Sequence, residues 1–166
     1  MKLSITLAAV ALMFHFTTPQ LSAHCQVPCG IYSDETVLTD LQTHQKTIAK
    51  AMVQIDELSA KDAKKNVNQL SRWVSNKEEH ATKIQDTMMQ YFLAQRIKLG
   101  EEDQEAYAKK LKLVHEITVY AMKCKQTTDI ENANKLKAAI DAFTTCLLYT
   151  SPSPRDQRGS RMPSSA

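Results

Sequence analysis

The chain has 166 residues, of which 43% are hydrophobic, 23% charged and only 6% aromatic. Its formal net charge of +3 comes from the two ends, because residues 24–146 hold 17 basic and 17 acidic side chains. The length suits one globular domain rather than two. Neither the balanced charge nor the low aromatic content predicts a nucleic-acid-binding surface, so we expect no nucleic-acid partner.

The first 23 residues have the pattern of an export signal. Lys2 supplies a positive start, an apolar run follows from Leu3 to Phe16, and small Ala23 precedes His24. The run is shorter than the roughly 20 residues that a membrane span needs, so a membrane anchor is the less favoured alternative. We expect residues 1–23 to be a signal peptide that is cleaved after Ala23. The mature protein would then be secreted or extracytoplasmic, with no membrane attachment.

The central part of the chain lacks turn-forming residues. From Ile31 to Thr150 there is no proline and a single glycine, Gly100. Strand-rich domains need many turns, and turns favour Gly and Pro, so the pattern indicates helices. Two apolar stripes at helical spacing predict the first two helices. The first stripe is Leu38, Leu41, Ile48, Met52, Ile55 and Leu58; the second is Val67, Leu70, Val74, Ala81, Ile84, Met88, Tyr91 and Phe92.

Two further helices follow Gly100, which is expected to end the second one. The acidic residues 101–103 favour a helix start, and a third stripe follows them: Tyr107, Leu111, Val114, Thr118 and Ala121. The sequence from Thr128 to Glu131 matches a capping box that opens the fourth helix. Its inward residues are expected to be Ile130, Ala133, Leu136, Ile140 and Phe143. The predicted fold class is therefore all-α, an antiparallel four-helix bundle over residues 33–146.

The C-terminal segment 147–166 has a different composition. Three of the five prolines lie there, and Met162 is its one large apolar residue beyond position 150. The segment has too little apolar surface to fold alone. From about Cys146 onward it resembles a translated sequencing-adapter read-through, so we expect a non-native tail. A disordered native tail is the alternative.

Four cysteines, at positions 25, 29, 124 and 146, allow two disulfides in an exported protein. A bridge between Cys25 and Cys29 would close a very small loop and stabilise little. Cys124 is expected to be a buried core thiol. The histidines at positions 44, 80 and 115 match no metal-binding spacing, so surface or satisfied interior roles are expected for them.

Cleavage after Ala23 would place unusual donor groups at the new N-terminus. His24 would supply a free amine and an imidazole, Cys25 an amide nitrogen and a thiolate, and Cys29 a second thiolate. Amine, amide and two thiolates form a planar set of two nitrogens and two sulfurs, with the imidazole able to reach an axial position. Such a planar set favours Ni(II) or Cu(II), whereas zinc prefers tetrahedral sites. Residues 24–32 therefore form a candidate metal-binding hook.

The nine residues His-Cys-Gln-Val-Pro-Cys-Gly-Ile-Tyr at positions 24–32 resemble the nickel hook of the nickel superoxide dismutases. Two later segments, residues 77–81 and 90–92, are more loosely similar. The resemblance implies a four-helix subunit, a homohexamer, and disproportionation of superoxide, the substrate, to oxygen and hydrogen peroxide. It also implies one nickel ion per subunit, bound by His24, Cys25 and Cys29.

The resemblance further assigns residues around the metal. Tyr32 matches a tyrosine that stands over the metal and orders the incoming anion. It is also a candidate aromatic contact of the first helix, and the two roles are compatible. Asp40 matches a glutamate that orients the axial imidazole. A family arginine in the same relay has two candidate counterparts, His80 and Arg72. The peptide bond between residues 27 and 28 is expected to be cis.

One alternative comes from a different class of protein. The signal and the helices would also fit a non-enzymatic secreted bundle, stapled by disulfides, that acts as a metal carrier or interaction module. This alternative does not explain why His24 and Cys25 lie immediately after the cleavage site.

Overall fold

The computed structural model describes residues 34–100 and 102–150, which form four helices and no strand. The helices are α1 (Asp34–Ser59), α2 (Ala63–Asp86), α3 (Gln104–Gln126) and α4 (Ile130–Thr150), and a π-helical segment (Thr87–Arg96) continues α2. Helix α1 packs against α2 and α4, and α3 packs against the same two neighbours. Short connections join them, so the predicted all-α bundle is confirmed. None of the helices in these two ranges is long and apolar enough to span a membrane.

The core stripe of α1 follows the prediction through its first five turns. Leu38, Leu41, Ile48 and Met52 are at most 2% exposed. Asp34 and Glu35 lie in the first turn, where negative charge complements the helix dipole. The last two residues of the predicted stripe, Ile55 and Leu58, are only half-buried, so the core ends before the helix does.

The predicted stripe of α2 is wrong in its first half. Val67 is 63% exposed and Val74 is 42% exposed, whereas Ala81, Ile84, Met88 and Phe92 are fully buried. The α1–α2 hairpin extends beyond the other two helices. Lys77 contacts Cys124 in the last turn of α3, which ends at Gln126, so the α2 residues before Lys77 lie towards and beyond the end of α3. We call residues 53–76 the hairpin tip.

The second helix also ends earlier than Gly100 predicts. The amide of Ile97 donates to the carbonyl of Phe92 at 2.9 Å, and Ile97 then adopts extended backbone angles. Gly100 instead lies in the connection to α3, with a φ of +79° that glycine adopts readily. Its role is a turn between helices rather than a helix stop.

The starts of α3 and α4 are fixed by aspartate side chains. The Asp103 carboxylate accepts from the Ala106 amide at 2.9 Å, in agreement with the predicted acidic start. At α4 the Asp129 carboxylate accepts from the Glu131 amide at 3.1 Å, so the cap lies one residue later than the predicted capping box places it. As a result Ile130, expected to point inward, is 39% exposed.

The buried faces of the last two helices differ in detail from the predicted stripes. In α3 only Val114 and Ala121 of the predicted set are buried; the rest of the buried apolar face is Leu113, Ile117 and Cys124. In α4 the four predicted residues after Ile130 are buried. Helix α4 then continues to Thr150, beyond the expected end of the bundle at position 146, and both Cys146 and Leu147 are buried.

Lys77 is a buried lysine that caps the C-terminal end of α3. Its side chain is 4% exposed, and Nζ donates to the carbonyls of Cys124, at 2.6 Å, and Lys125. The last carbonyls of a helix have no partner within the helix, and a cation there also complements the helix dipole. Lys77 therefore ties α2 to α3 at the point where the hairpin tip begins.

Replacing Lys77 with methionine should lower the free energy of unfolding by about 1–3 kcal/mol, because it leaves buried carbonyls without a donor. Urea unfolding monitored by circular dichroism measures the change. The control is Lys50→Met, which removes an exposed lysine of α1 and should leave the midpoint nearly unchanged. Equal midpoints for the two variants would show that the Lys77 contacts do not stabilise the bundle.

Candidate metal centre

Most of the predicted metal centre lies outside the described residues. His24, Cys25, Cys29 and Tyr32 precede residue 34, as does the peptide bond between residues 27 and 28. Their predicted roles stay predictions. Within the described part of the chain, no group of three or more histidine, cysteine or acidic side chains could hold a metal ion.

The chain enters the bundle at a well-anchored residue. The Tyr91 hydroxyl donates to one carboxylate oxygen of Asp34 at 2.7 Å, and the Arg96 guanidinium donates to the other. The Asp34 side chain is 18% exposed, so this ion pair is partly shielded from water. Asp34 lies two residues after Tyr32 in sequence. The anchor thus fixes the position from which the hook segment must extend.

The π-helical segment explains why Tyr91 and Arg96 reach the same carboxylate. A π-helix closes its hydrogen bonds between residues five apart, so such residues lie closer to one face than in an α-helix. Tyr91 and Arg96 have this spacing. Sequence periodicity alone did not indicate this wider turn, and it therefore missed the anchor.

Asp40, the one predicted site residue that the structure describes, is exposed on α1. It makes no hydrogen bond or ion pair with any residue in the ranges 34–100 and 102–150. It lies one helical turn before His44 on the same side of the helix, and its negative charge acts on the His44 imidazole. Asp40 is therefore available to a group from the segment before residue 34.

His44 and His80 form a pair that sequence reasoning missed. Their Nδ1 atoms are 2.9 Å apart, and their rings meet edge to face with centroids 4.8 Å apart. One imidazole must donate to the other, because two protonated or two unprotonated nitrogens would repel at this distance. Each histidine lies 18 residues from Asp62, at the turn of the hairpin. This equal spacing was the signal that could have predicted that the two histidines face each other across the hairpin.

The geometry distinguishes the two candidates for the family arginine. His80 contacts His44, one turn from Asp40. Arg72 lies in the hairpin tip and is exposed. It is eight residues before His80, about 12 Å along α2 and away from Asp40, because the two helices run antiparallel. Of the two, His80 is the residue near Asp40.

Both imidazoles of the pair are poor bases. Burial is the main cause that lowers the pKa of each imidazole below its ordinary value of 6.5. Positive charge on His80 and Lys83 lowers the pKa of His44 further. Positive charge on Lys83 also lowers the pKa of His80 further. Glu79 opposes the shift at both histidines, and Asp40 opposes it at His44. A neutral, hydrogen-bonded pair is therefore the form present at neutral pH.

Acid should consequently destabilise the α1–α2 hairpin. The folded pair binds protons less readily than the unfolded chain, so its contribution is complete above about pH 6.5 and is lost as the pH falls below that value. We expect His80→Gln to reduce the loss of stability between about pH 7 and pH 5, as measured by urea unfolding, because glutamine does not titrate. The control is His115→Gln, at an exposed position of α3. An unchanged pH dependence in His80→Gln would contradict this role.

Cys124 is a core thiol, as predicted. It is fully buried, and burial raises its pKa to about 11, so it remains protonated at neutral pH. A protonated thiol is a poor nucleophile and a poor metal ligand. Cys124 and Cys146 are not joined to each other by a disulfide. Cys124 therefore has a packing role.

The comparisons with known proteins place these observations in one family. The family model described as nickel-containing superoxide dismutase matches residues 19–150, well over half of the chain. No curated protein and no solved structure matches the chain. The matched range covers both the hook residues and all four helices. The chain therefore belongs to the nickel-containing superoxide dismutase family.

Proposed function

We propose that this enzyme works through nickel bound at its mature N-terminus, by His24, Cys25 and Cys29. Family membership makes the protein a nickel-dependent superoxide dismutase, an oxidoreductase whose substrate is superoxide, and it removes the non-enzymatic alternative. The observation that carries the proposal is the placement of His24 and Cys25 directly after Ala23, the expected cleavage site. Only cleavage there gives His24 a free amine.

The donor set fits nickel. An amine, a deprotonated amide and two thiolates are the nitrogen and sulfur donors that a planar Ni(II) site takes, and the His24 imidazole adds a fifth donor. When bound, nickel would supply one-electron exchange with superoxide by alternating between Ni(II) and Ni(III). Anionic thiolate and amide donors favour the higher oxidation state. Cys124, whose raised pKa keeps it protonated, offers no competing thiolate.

The other residues position the hook and the substrate. Asp34, held by Tyr91 and Arg96, fixes the chain two residues after Tyr32. We assign Tyr32 to ordering the incoming anion through its hydroxyl. We assign Asp40 to orienting the His24 imidazole. The Asp40 carboxylate is exposed and has no partner among the described residues, which supports this assignment.

Proton delivery completes the reaction. Two superoxide anions and two protons give one oxygen and one hydrogen peroxide, so the site must supply two protons in each cycle. None of the proposed ligands has a free base for this purpose. Ordered water near the Tyr32 hydroxyl and the backbone amides is the proton source that we propose.

The proposal also covers location and assembly. The signal pattern of residues 1–23 supports export, followed by cleavage after Ala23. The resemblance over residues 24–32 supports a homohexamer, and the hairpin tip offers apolar surface for contacts between subunits. Val53, Val67 and Val74 are 44%, 63% and 42% exposed there. Light scattering after size-exclusion chromatography measures the number of subunits.

Cys25→Ser and Cys29→Ser should each abolish nickel binding and activity while leaving the helical content unchanged. Among the described residues, the buried apolar core runs from Leu38 to Leu147, which follow both cysteines in the chain. Nickel analysis, a superoxide consumption assay and far-ultraviolet circular dichroism give the three readouts. The matched control, Cys124→Ala, should lower thermal stability but keep nickel bound. Normal nickel content in either hook variant would refute the assignment, and a loss of helical structure would favour a disulfide role.

A further inference from the structure

The His44–His80 pair has a geometry that the proposed hook chemistry does not use. The two imidazoles come from neighbouring helices, are half-buried, and point their Nδ1 atoms at one another across 2.9 Å. The packing of α1 against α2 brings the two rings together. Two nitrogen donors fixed in this way form a preorganised pair for a metal ion as well as for a proton.

The distance between the nitrogens is that of a hydrogen bond, and it is also compatible with one coordination geometry. With metal–nitrogen bonds of about 2.0–2.1 Å, two ligands at a right angle lie about 2.8–3.0 Å apart, whereas two tetrahedral ligands lie about 3.3–3.4 Å apart. The 2.9 Å of the hydrogen-bonded pair is therefore close to the spacing that two right-angled ligands require. Right-angled nitrogen donors are typical of square-planar or tetragonal Cu(II) and Ni(II) rather than of tetrahedral zinc.

The charges around the pair are compatible with a cation. Asp40 and Glu79 contribute negative charge, and Lys83 contributes positive charge. Lys83 is already engaged by Glu79, with Nζ and the carboxylate oxygen 2.6 Å apart. Both imidazoles are neutral at neutral pH, since their pKa values are lowered, so a metal ion there does not compete with a bound imidazolium proton.

We propose that His44 and His80 together bind one divalent ion of the copper and nickel class, through their two Nδ1 atoms, with water at the remaining positions. Binding replaces the shared Nδ1 proton, which moves by exchange with water to Nε2 of the same ring, so both imidazoles remain neutral. None of the proposed hook ligands belongs to this site. It links α1 to α2 and requires neither signal cleavage nor a thiolate.

Copper(II) is the probe of choice, because it binds nitrogen donors most strongly among the first-row divalent ions and gives an electron paramagnetic resonance signal. The full chain carrying His24→Gln, Cys25→Ser and Cys29→Ser provides a background without the hook ligands. We expect this background to bind one equivalent of copper with hyperfine splitting from two nitrogens. Adding His44→Gln or His80→Gln should weaken binding by about tenfold or more, since even outer-shell changes cost about 10–100-fold in metal affinity.

The control adds His115→Gln, which removes an exposed histidine of α3 and should leave copper binding unchanged. Copper should also raise the melting temperature of the background but not that of the two pair variants, a second measurement that does not depend on the spectrum. Equal copper affinity in the background and both pair variants would overturn the proposal. Because the hook ligands are absent from every sample, that failure would leave the proposed nickel site unaffected.

Discussion

A single glycine added before His24 in the mature protein is expected to abolish nickel-dependent superoxide dismutation. The extra residue converts the His24 amine into an amide and moves the free amine away from the Cys25 donors. The first chelate ring can then no longer form as proposed. Nickel content and superoxide consumption, measured on the purified extended protein, test this expectation. The helices should be unaffected, since they begin at Asp34.

The control for this experiment adds the same glycine after Ala166, at the opposite end of the chain. That protein should retain its nickel and its full rate. An N-terminally extended protein with a full complement of nickel and the normal rate would refute the role of the His24 amine, while leaving the four-helix bundle unchallenged.

The largest expected loss of stability comes from Phe143→Ala. Phe143 is fully buried in α4, and its ring meets that of Phe92 edge to face with centroids 4.9 Å apart. Removing a buried phenylalanine side chain typically costs about 3–5 kcal/mol. Domains are stable by about 5–15 kcal/mol in total, so this single change should remove a large part of the stability. Urea unfolding at neutral pH measures the loss.

Leu148→Ala is the matched control, because Leu148 lies on the same helix and is 53% exposed. Surface changes of this kind usually stay within about 0.5 kcal/mol. Similar losses for the two variants would show that the contact between Phe92 and Phe143 is not a main source of stability. Phe92 follows Tyr91 in the π-helical segment, so this contact also supports the anchor at Asp34.

The bundle was predictable because its signals are local. Missing turn residues and helical spacing identified α1, and the acidic residues 101–103 identified the start of α3. The exposure of Val67 and Val74 was not predictable in this way. Periodicity shows which face of a helix is apolar, but it does not show how far the neighbouring helices extend. The same limit applies to Gly100, since only the backbone hydrogen bonds reveal the π-helical segment that ends at Arg96.

The same distinction between local and long-range signals applies to the candidate metal centre. The proposed ligands were found from sequence because His24, Cys25 and Cys29 are close together at one end of the expected mature chain. The pair of His44 and His80 was missed because it depends on the register between two antiparallel helices. A register of this kind follows from the position of the turn at Asp62, which no apolar stripe specifies.

The most direct test of the nickel hook is to determine the N-terminus and the nickel content of the same active protein. Native mass spectrometry of the purified enzyme, combined with N-terminal sequencing, measures both. The account predicts that every nickel-bearing chain begins at His24 and carries one nickel ion. Active, nickel-bearing chains that retain residues before His24 would contradict it.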